Sequence, residues 1–114
     1  MFKFETLEVW KKAQKLCSEI LDEVHRLPNE YRYTIGNNLI RAAISIPNNI
    51  AEGTGRKSKK EAHNFYNIAK GSAYEVVNVS MILRDKKVLA IERFQELYRD
   101  SEEICRMLTG LMKS

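Results

Sequence analysis

"SIPNNIAEGTGRKSKKE", Ser45 to Glu61, decides between two folds. Its glycines and cations suggest a phosphate-gripping loop, whereas its apolar spacing suggests a bent helix end, a tight turn and a second helix start. A Walker-type loop needs a glycine directly before Lys-Ser/Thr and a strand upstream. Here Arg56 precedes Lys57-Ser58 and a helical pattern comes first, so a nucleotide loop is rejected. A looser anion site stays open, because free amides at the start of the second helix, among Arg56, Lys57, Lys59 and Lys60, attract phosphate.

Upstream of the turn, Tyr33 to Glu52 carries Ile35, Leu39, Ala42, Ile46 and Ile50 at steps of three and four, one face of a helix. Pro47 has no amide hydrogen, so the Ala43 carbonyl loses its helical partner and the helix is predicted to bend. Ser45, Asn48 and Asn49 can bond to backbone or to a neighbouring helix, and Arg41 and Glu52 stand where they could join. This polar set reads as a structural device rather than a catalytic one. Gly53 and Gly55 are expected to end the helix, since glycine accepts the left-handed backbone of a C-terminus.

Downstream, Ser58-Lys59-Lys60-Glu61 has the form of a capping box. The helix it starts runs through Ala62, Tyr66, Ala69, Ala73, Val76, Ser80 and Leu83, on the order of 40 Å at 1.5 Å per residue. Before the turn lies another stripe, Trp10, Ala13, Cys17, Ile20, Val24 and Leu27, stopped by Pro28-Asn29. After it, past a boundary near Lys87 to Ala90 with no Gly or Pro, Ile91, Phe94, Tyr98, Ser101, Cys105, Leu108 and Met112 define a last helix. Short connections make neighbours antiparallel. The expectation is all-α: one domain over residues 1–114, an antiparallel up-down-up-down four-helix bundle with a Pro-kinked second helix.

Composition agrees, with 44% apolar and 30% charged residues, five Gly and two Pro. Cys17 and Cys105 both fall on apolar helix faces and are expected to be buried, reduced thiols rather than a disulfide or metal pair. No apolar run suits a signal peptide or a membrane span, so a soluble cytoplasmic protein is expected. His25 and His63 stand in no metal-ligand spacing, and paired Glu-x-x-His motifs are absent. No catalytic residue, metal or cofactor is expected, and the chain reads as a non-enzyme.

Two features point to partners. Ile68, Val79 and Ile82 form a second stripe on the long helix, about 100° round from the first, through Ser72. Gly71, beside Ser72, adds a patch of small residues where another backbone can approach. The stripe is either a wide bundle face or a subunit interface. The second feature is charge: Lys and Arg number nineteen against fifteen Asp and Glu. In an up-down-up-down bundle Lys11, Lys12, Lys15, Arg56, Lys57, Lys59 and Lys60 fall at one end, a pole suited to polyanions by counterion release. The plain alternative is a solvated face that keeps the protein soluble.

"LEVWKKAQKL", with Trp10, "IGNNLIRAAISIPNNIAEGTGRKSKKE" and "IAKGSAYEV" resemble, in order and spacing, the bacterial four-helix-bundle proteins encoded in intervening sequences of 23S rRNA genes. The family pattern maps onto Arg41 to Ala43, Ser45 to Pro47, Asn49 to Gly53, and Arg56. The chain departs from it at Ala73-Tyr74 and in the β-branched "VVNVS" that follows. The resemblance implies a homo-oligomer, since relatives form five-membered rings. It also implies nucleic-acid association, because the family is similar to the accessory variability protein of diversity-generating retroelements, a basic pentamer acting with a reverse transcriptase and its RNA. The expected function is a ring that binds structured RNA through its basic pole, the alternative an adaptor or scaffold that docks a partner enzyme and makes no direct contact with nucleic acid.

Overall fold

Pro28 closes the first amphipathic run, and from there the chain folds into helices joined by short turns. The computed structural model describes residues 1–114. It consists of a 3-10 turn at Lys3–Thr6 and five α-helices, with no strand: α1 Glu8–His25, α2 Asn29–Arg32, α3 Ile35–Thr54, α4 Lys59–Asp85 and α5 Ile91–Lys113. The four long helices touch in a closed order, α1 on α3, α3 on α4, α4 on α5 and α5 on α1. The envelope measures 44 × 21 × 21 Å, a long axis close to the length of α4, about 40 Å at 1.5 Å per residue.

Between the helices lie Leu16, Ile20, Leu39, Ile46, Ile50, Val76, Leu83, Leu97, Ile104 and Leu108, all closed to solvent. Each such side chain is worth about 1.5–3 kcal/mol on burial, and this packing, more than helix propensity, holds the elements. The stripes read in α1 and α4 are nearly all interior, with Trp10 and Ala62 half-buried at the ends. In α5 the row differs: Ile91 and Tyr98 are exposed, while Leu97 and Ile104 take core places. Apolar residues sit side by side at 97–98 and 104–105, so spacing allows two adjacent rows. Contact with α1 and α4 selects between them.

Two helix ends differ from expectation. α3 runs on through Gly53 to Thr54, Gly55 has φ −86°, and no glycine has positive φ. Gly53 serves close packing instead: a Cβ there would lie 2.5 Å from Tyr66 Cε1, so its bare backbone admits the buried tyrosine ring. The left-handed residue is Lys87, with φ 62°. The Val88 and Leu89 amides return to the Leu83 carbonyl at 3.1 and 3.3 Å, and the buried Leu89 side chain holds this exit from α4 without a glycine.

Pro47 lies inside α3. The hydrogen bonds near it gather at Ser45. Asn49 Nδ2 donates to the Ser45 carbonyl at 2.8 Å and to Oγ at 3.0 Å, and Ser72 of α4 donates to the same Oγ at 2.7 Å. The polar set therefore ties α3 to α4. Arg41 and Glu52, expected as possible members, lie outside it: Glu52 accepts from Arg56 at 2.6 Å, and Arg41 is exposed on the outer face beside Asn37 and Asn48.

Candidate nucleic-acid interface

Three segments converge at one end of the molecule. The 3-10 turn rests against α3, and Phe2, Lys3 and Phe4 share an open cleft of about 660 Å³ with Asn48, Glu52, Gly55 and Arg56. Lys59 Nζ reaches the Ser114 carbonyl oxygen at 3.5 Å, which brings the end of α5 to the start of α4. The Ser58 hydroxyl accepts the Glu61 amide at 3.1 Å and donates to the Glu61 carboxylate at 3.1 Å. The capping residues are those read from the sequence, but the glutamate meets the cap's hydroxyl rather than its amide. With that carboxylate in the first turn of α4, the helix amides make a poorer anion site than expected. The ammonium groups must carry it.

The expected cations divide into two sets. Lys11 pairs with Glu8 at 3.4 Å, Lys12 with Asp100 at 3.5 Å and Glu103 at 3.4 Å, and Arg56 with Glu52 at 2.6 Å. Arg56 also lies over the Phe65 ring, 4.5 Å from its centroid. Lys57 and Lys60 at the α3–α4 turn are exposed and join none of the ion pairs, and Lys59 has only the Ser114 main-chain oxygen. Lys15, exposed and unpaired as well, lies about two turns into α1, past the Lys12 that meets the middle of α5. Surface ion pairs are worth at most about 1 kcal/mol, so a phosphate can replace Glu8 or Glu52 at small cost.

A second component of this end escaped the sequence reading. The Phe2 and Phe4 rings stack at 5.6 Å with planes 17° apart, and Phe4 packs on Trp10 at 4.9 Å. Phe2 remains 70% exposed. The signal was present in "FKF", two aromatics flanking a lysine, but two residues set no helical or strand period.

The expected interface residues also divide. Ile68 and Ile82 are exposed, and Gly71 faces open space. Ser72 and Val79 are buried within the chain itself, Ser72 held by its bond to Ser45. The outer stripe is thus narrower than the pattern suggested, because α3 covers its inner edge. Between α4 and α5 a cleft of about 270 Å³ is lined by Ala73, Tyr74, Val77, Tyr98, Ser101, Glu102 and Cys105. Burial pushes the Cys105 thiol above its ordinary pKa, against the pull of Lys70, and burial does the same to Cys17; the two remain unpaired. No group of three or more His, Cys, Asp or Glu side chains is placed to hold a metal, and no helix is long and apolar enough to cross a membrane.

These features define an all-α protein with one cation-rich end edged by aromatic rings. The chain belongs to the 23S rRNA-intervening sequence protein family, whose model matches residues 5–110. It is similar to a solved structure from Bacteroides thetaiotaomicron VPI-5482, a protein of unknown function from the S23 ribosomal protein family. That likeness has a TM-score of 0.86 and 25% identity over 93% of this chain and 96% of the other. No curated protein matches the chain.

Proposed function

We propose that this chain is a cytoplasmic, non-enzymatic, antiparallel four-helix bundle, bent at Pro47, that assembles into a homo-oligomeric ring of five. The ring binds nucleic acid, structured RNA foremost, through its basic pole. The observation that carries this reading is the α3–α4 turn, where Lys57 and Lys60 are exposed and join no ion pair and Lys59 reaches only the Ser114 main-chain oxygen. A polyanion gains there by counterion release, and several poles side by side raise the affinity without any new contact. The antiparallel order is supported by the cross-helix bonds Ser72 to Ser45, Lys70 to Thr109 and Arg93 to Glu23. Exposed Ile68 and Ile82 around Gly71 support association with a second copy. The resemblance to the accessory variability protein of diversity-generating retroelements points the same way.

Light scattering of the purified protein, with and without a short RNA hairpin at low and high salt, tests the proposal. A ring-sized particle that shifts with RNA only at low salt is expected. A monomer indifferent to RNA would remove both the ring and the interface. The α4–α5 cleft favours a second reading, an adaptor for a partner protein, because Tyr74 is 68% exposed and Tyr98 39% at its mouth and tyrosine is a common anchor in protein interfaces. Purification with bound protein and no nucleic acid would support the adaptor.

A further inference from the structure

The Phe2 ring is costly where it stands, because an exposed aromatic face gains nothing from water. It is nevertheless held in place. Its amide donates to Glu5 Oε2 at 2.8 Å, its carbonyl accepts from the Glu5 amide at 3.1 Å, and Thr6 Oγ1 donates to the Lys3 carbonyl at 2.7 Å. Behind it stand Phe4 and Trp10, so the outer ring of a fixed aromatic stack faces solvent. The same cleft carries two cations, Lys3 and Arg56, with Lys57 next in sequence. Its acidic lining residue, Glu52, is engaged by Arg56, and Glu5 of the adjoining 3-10 turn by the Phe2 amide.

We propose that this cleft is a site for an unpaired nucleotide, whose base stacks on Phe2 while the flanking phosphates meet Lys3, Arg56 and Lys57. The inference rests on the nucleic-acid reading of the basic pole and narrows it. Every base offers a π-face, so an aromatic platform beside cations takes single strands with little regard to sequence. In a duplex those faces are already stacked, whereas the loops, bulges and ends of a structured RNA present them. The platform therefore selects the unpaired parts of a folded RNA, and the lysines supply affinity that is blind to pairing.

The test is anisotropy of a labelled, unstructured RNA of about ten nucleotides and of a blunt duplex of the same length, at low salt. The proteins are wild type, Phe2→Leu and the triple variant Lys57→Gln/Lys59→Gln/Lys60→Gln. Phe2 is exposed, so Phe2→Leu keeps the fold, which helicity by circular dichroism checks. Wild type is expected to prefer the single strand, and Phe2→Leu to weaken that strand roughly tenfold while leaving the duplex and the salt slope unchanged. The triple variant weakens both. Emission from Trp10, the single tryptophan, is expected to change with the oligonucleotide and to stay constant with inorganic polyphosphate, which meets the same lysines without stacking. Unaltered single-strand binding by Phe2→Leu, with loss in the triple variant, would overturn the stacking site and leave the basic pole standing. If wild type binds neither RNA at low salt, the nucleic-acid reading falls and the nucleotide site with it.

Discussion

The two ends of the molecule use charge in opposite ways. Where α1 finishes and α5 begins, Glu23 is largely shielded and accepts from Arg93 Nε at 2.8 Å and from Arg26 at 3.3 Å. The hydrogen bond it donates to Glu23 holds the Arg93 guanidinium more basic than usual, against the burial that opposes it. Nearby, Arg84 pairs with Asp85 and lies over Phe94, and Arg32 donates to the His25 carbonyl at 2.6 Å. Lys86, Lys87 and Arg32 stand apart there from a carboxylate, and the guanidinium of Arg32 is spent on the His25 carbonyl. At the α3–α4 end the order is reversed, with lysines held in water beside an aromatic stack. Arginine, whose planar fork fits a fixed acceptor, closes the first end; lysine, a mobile point charge, leaves the second open to a partner.

The largest expected effect breaks this contrast directly. Replacing Arg56, Lys57, Lys59 and Lys60 with Gln removes four charges and should lower the salt slope of RNA binding by about 3, with retention on an RNA column lost at moderate salt. Replacing Arg26, Lys86 and Lys87 with Gln at the other end should leave both unchanged. Equal losses would mean that net charge alone binds the polyanion.

Next in size is packing beneath the basic end. Gly53→Ala puts a methyl group against the Tyr66 ring and should cost about 1–3 kcal/mol, read as a drop in Tm of roughly 4–8 °C per kcal/mol. Gly110→Ala, with open space around it, should raise Tm slightly through helix propensity. An unchanged Tm for Gly53→Ala would mean that the tyrosine yields freely.

At the opposite end Glu23→Gln should cost about 1–2 kcal/mol, because the pair with Arg93 is shielded only in part, at 14% and 29% side-chain exposure. A double-mutant cycle with Arg93→Gln should recover most of that as coupling. Independent, additive losses would remove the view that this end is fastened by charge.

The smallest effect belongs to the middle of the molecule. Cys17 and Cys105 both have thiol pKa values raised by burial, so the folded state binds those protons more tightly than the unfolded chain. Their contribution to stability is whole below the ordinary thiol pKa of about 8.5 and is lost as pH rises through the folded values. Denaturation midpoints should therefore decline above that pH, and less so in Cys17→Ala. A flat profile to pH 10 would show that burial leaves the thiols unperturbed.

Much of this was legible from residue spacing. Ala13, Cys17, Ile20 and Val24 in α1, and Tyr66, Ala69, Ala73, Val76 and Leu83 in α4, all occupy the interior as their steps of three and four require. In α5 adjacent apolar residues left two rows open, and a neighbouring helix chose. The cation cluster at the α3–α4 turn was visible as charge, but its division into paired and unpaired groups was not. Lys12 meets Asp100 and Glu103 across 88 and 91 positions, by the numbering, a separation that no local pattern records.

By itself the sequence determined the four long helices, the inward faces of α1 and α4, the Ser58 cap and the membership of a family, because each depends on residues within a few turns of one another. The short α2 and the 3-10 turn at Lys3–Thr6 were not read from it. Tertiary structure alone decided that Gly53 makes room for Tyr66, that Ser72 and Val79 turn inward and that Lys87 carries the left-handed turn. It also stacked Phe2 on Phe4 and Trp10 beside unpaired lysines. Those outcomes depend on which distant side chain fills a given space, and that is fixed only when the helices pack.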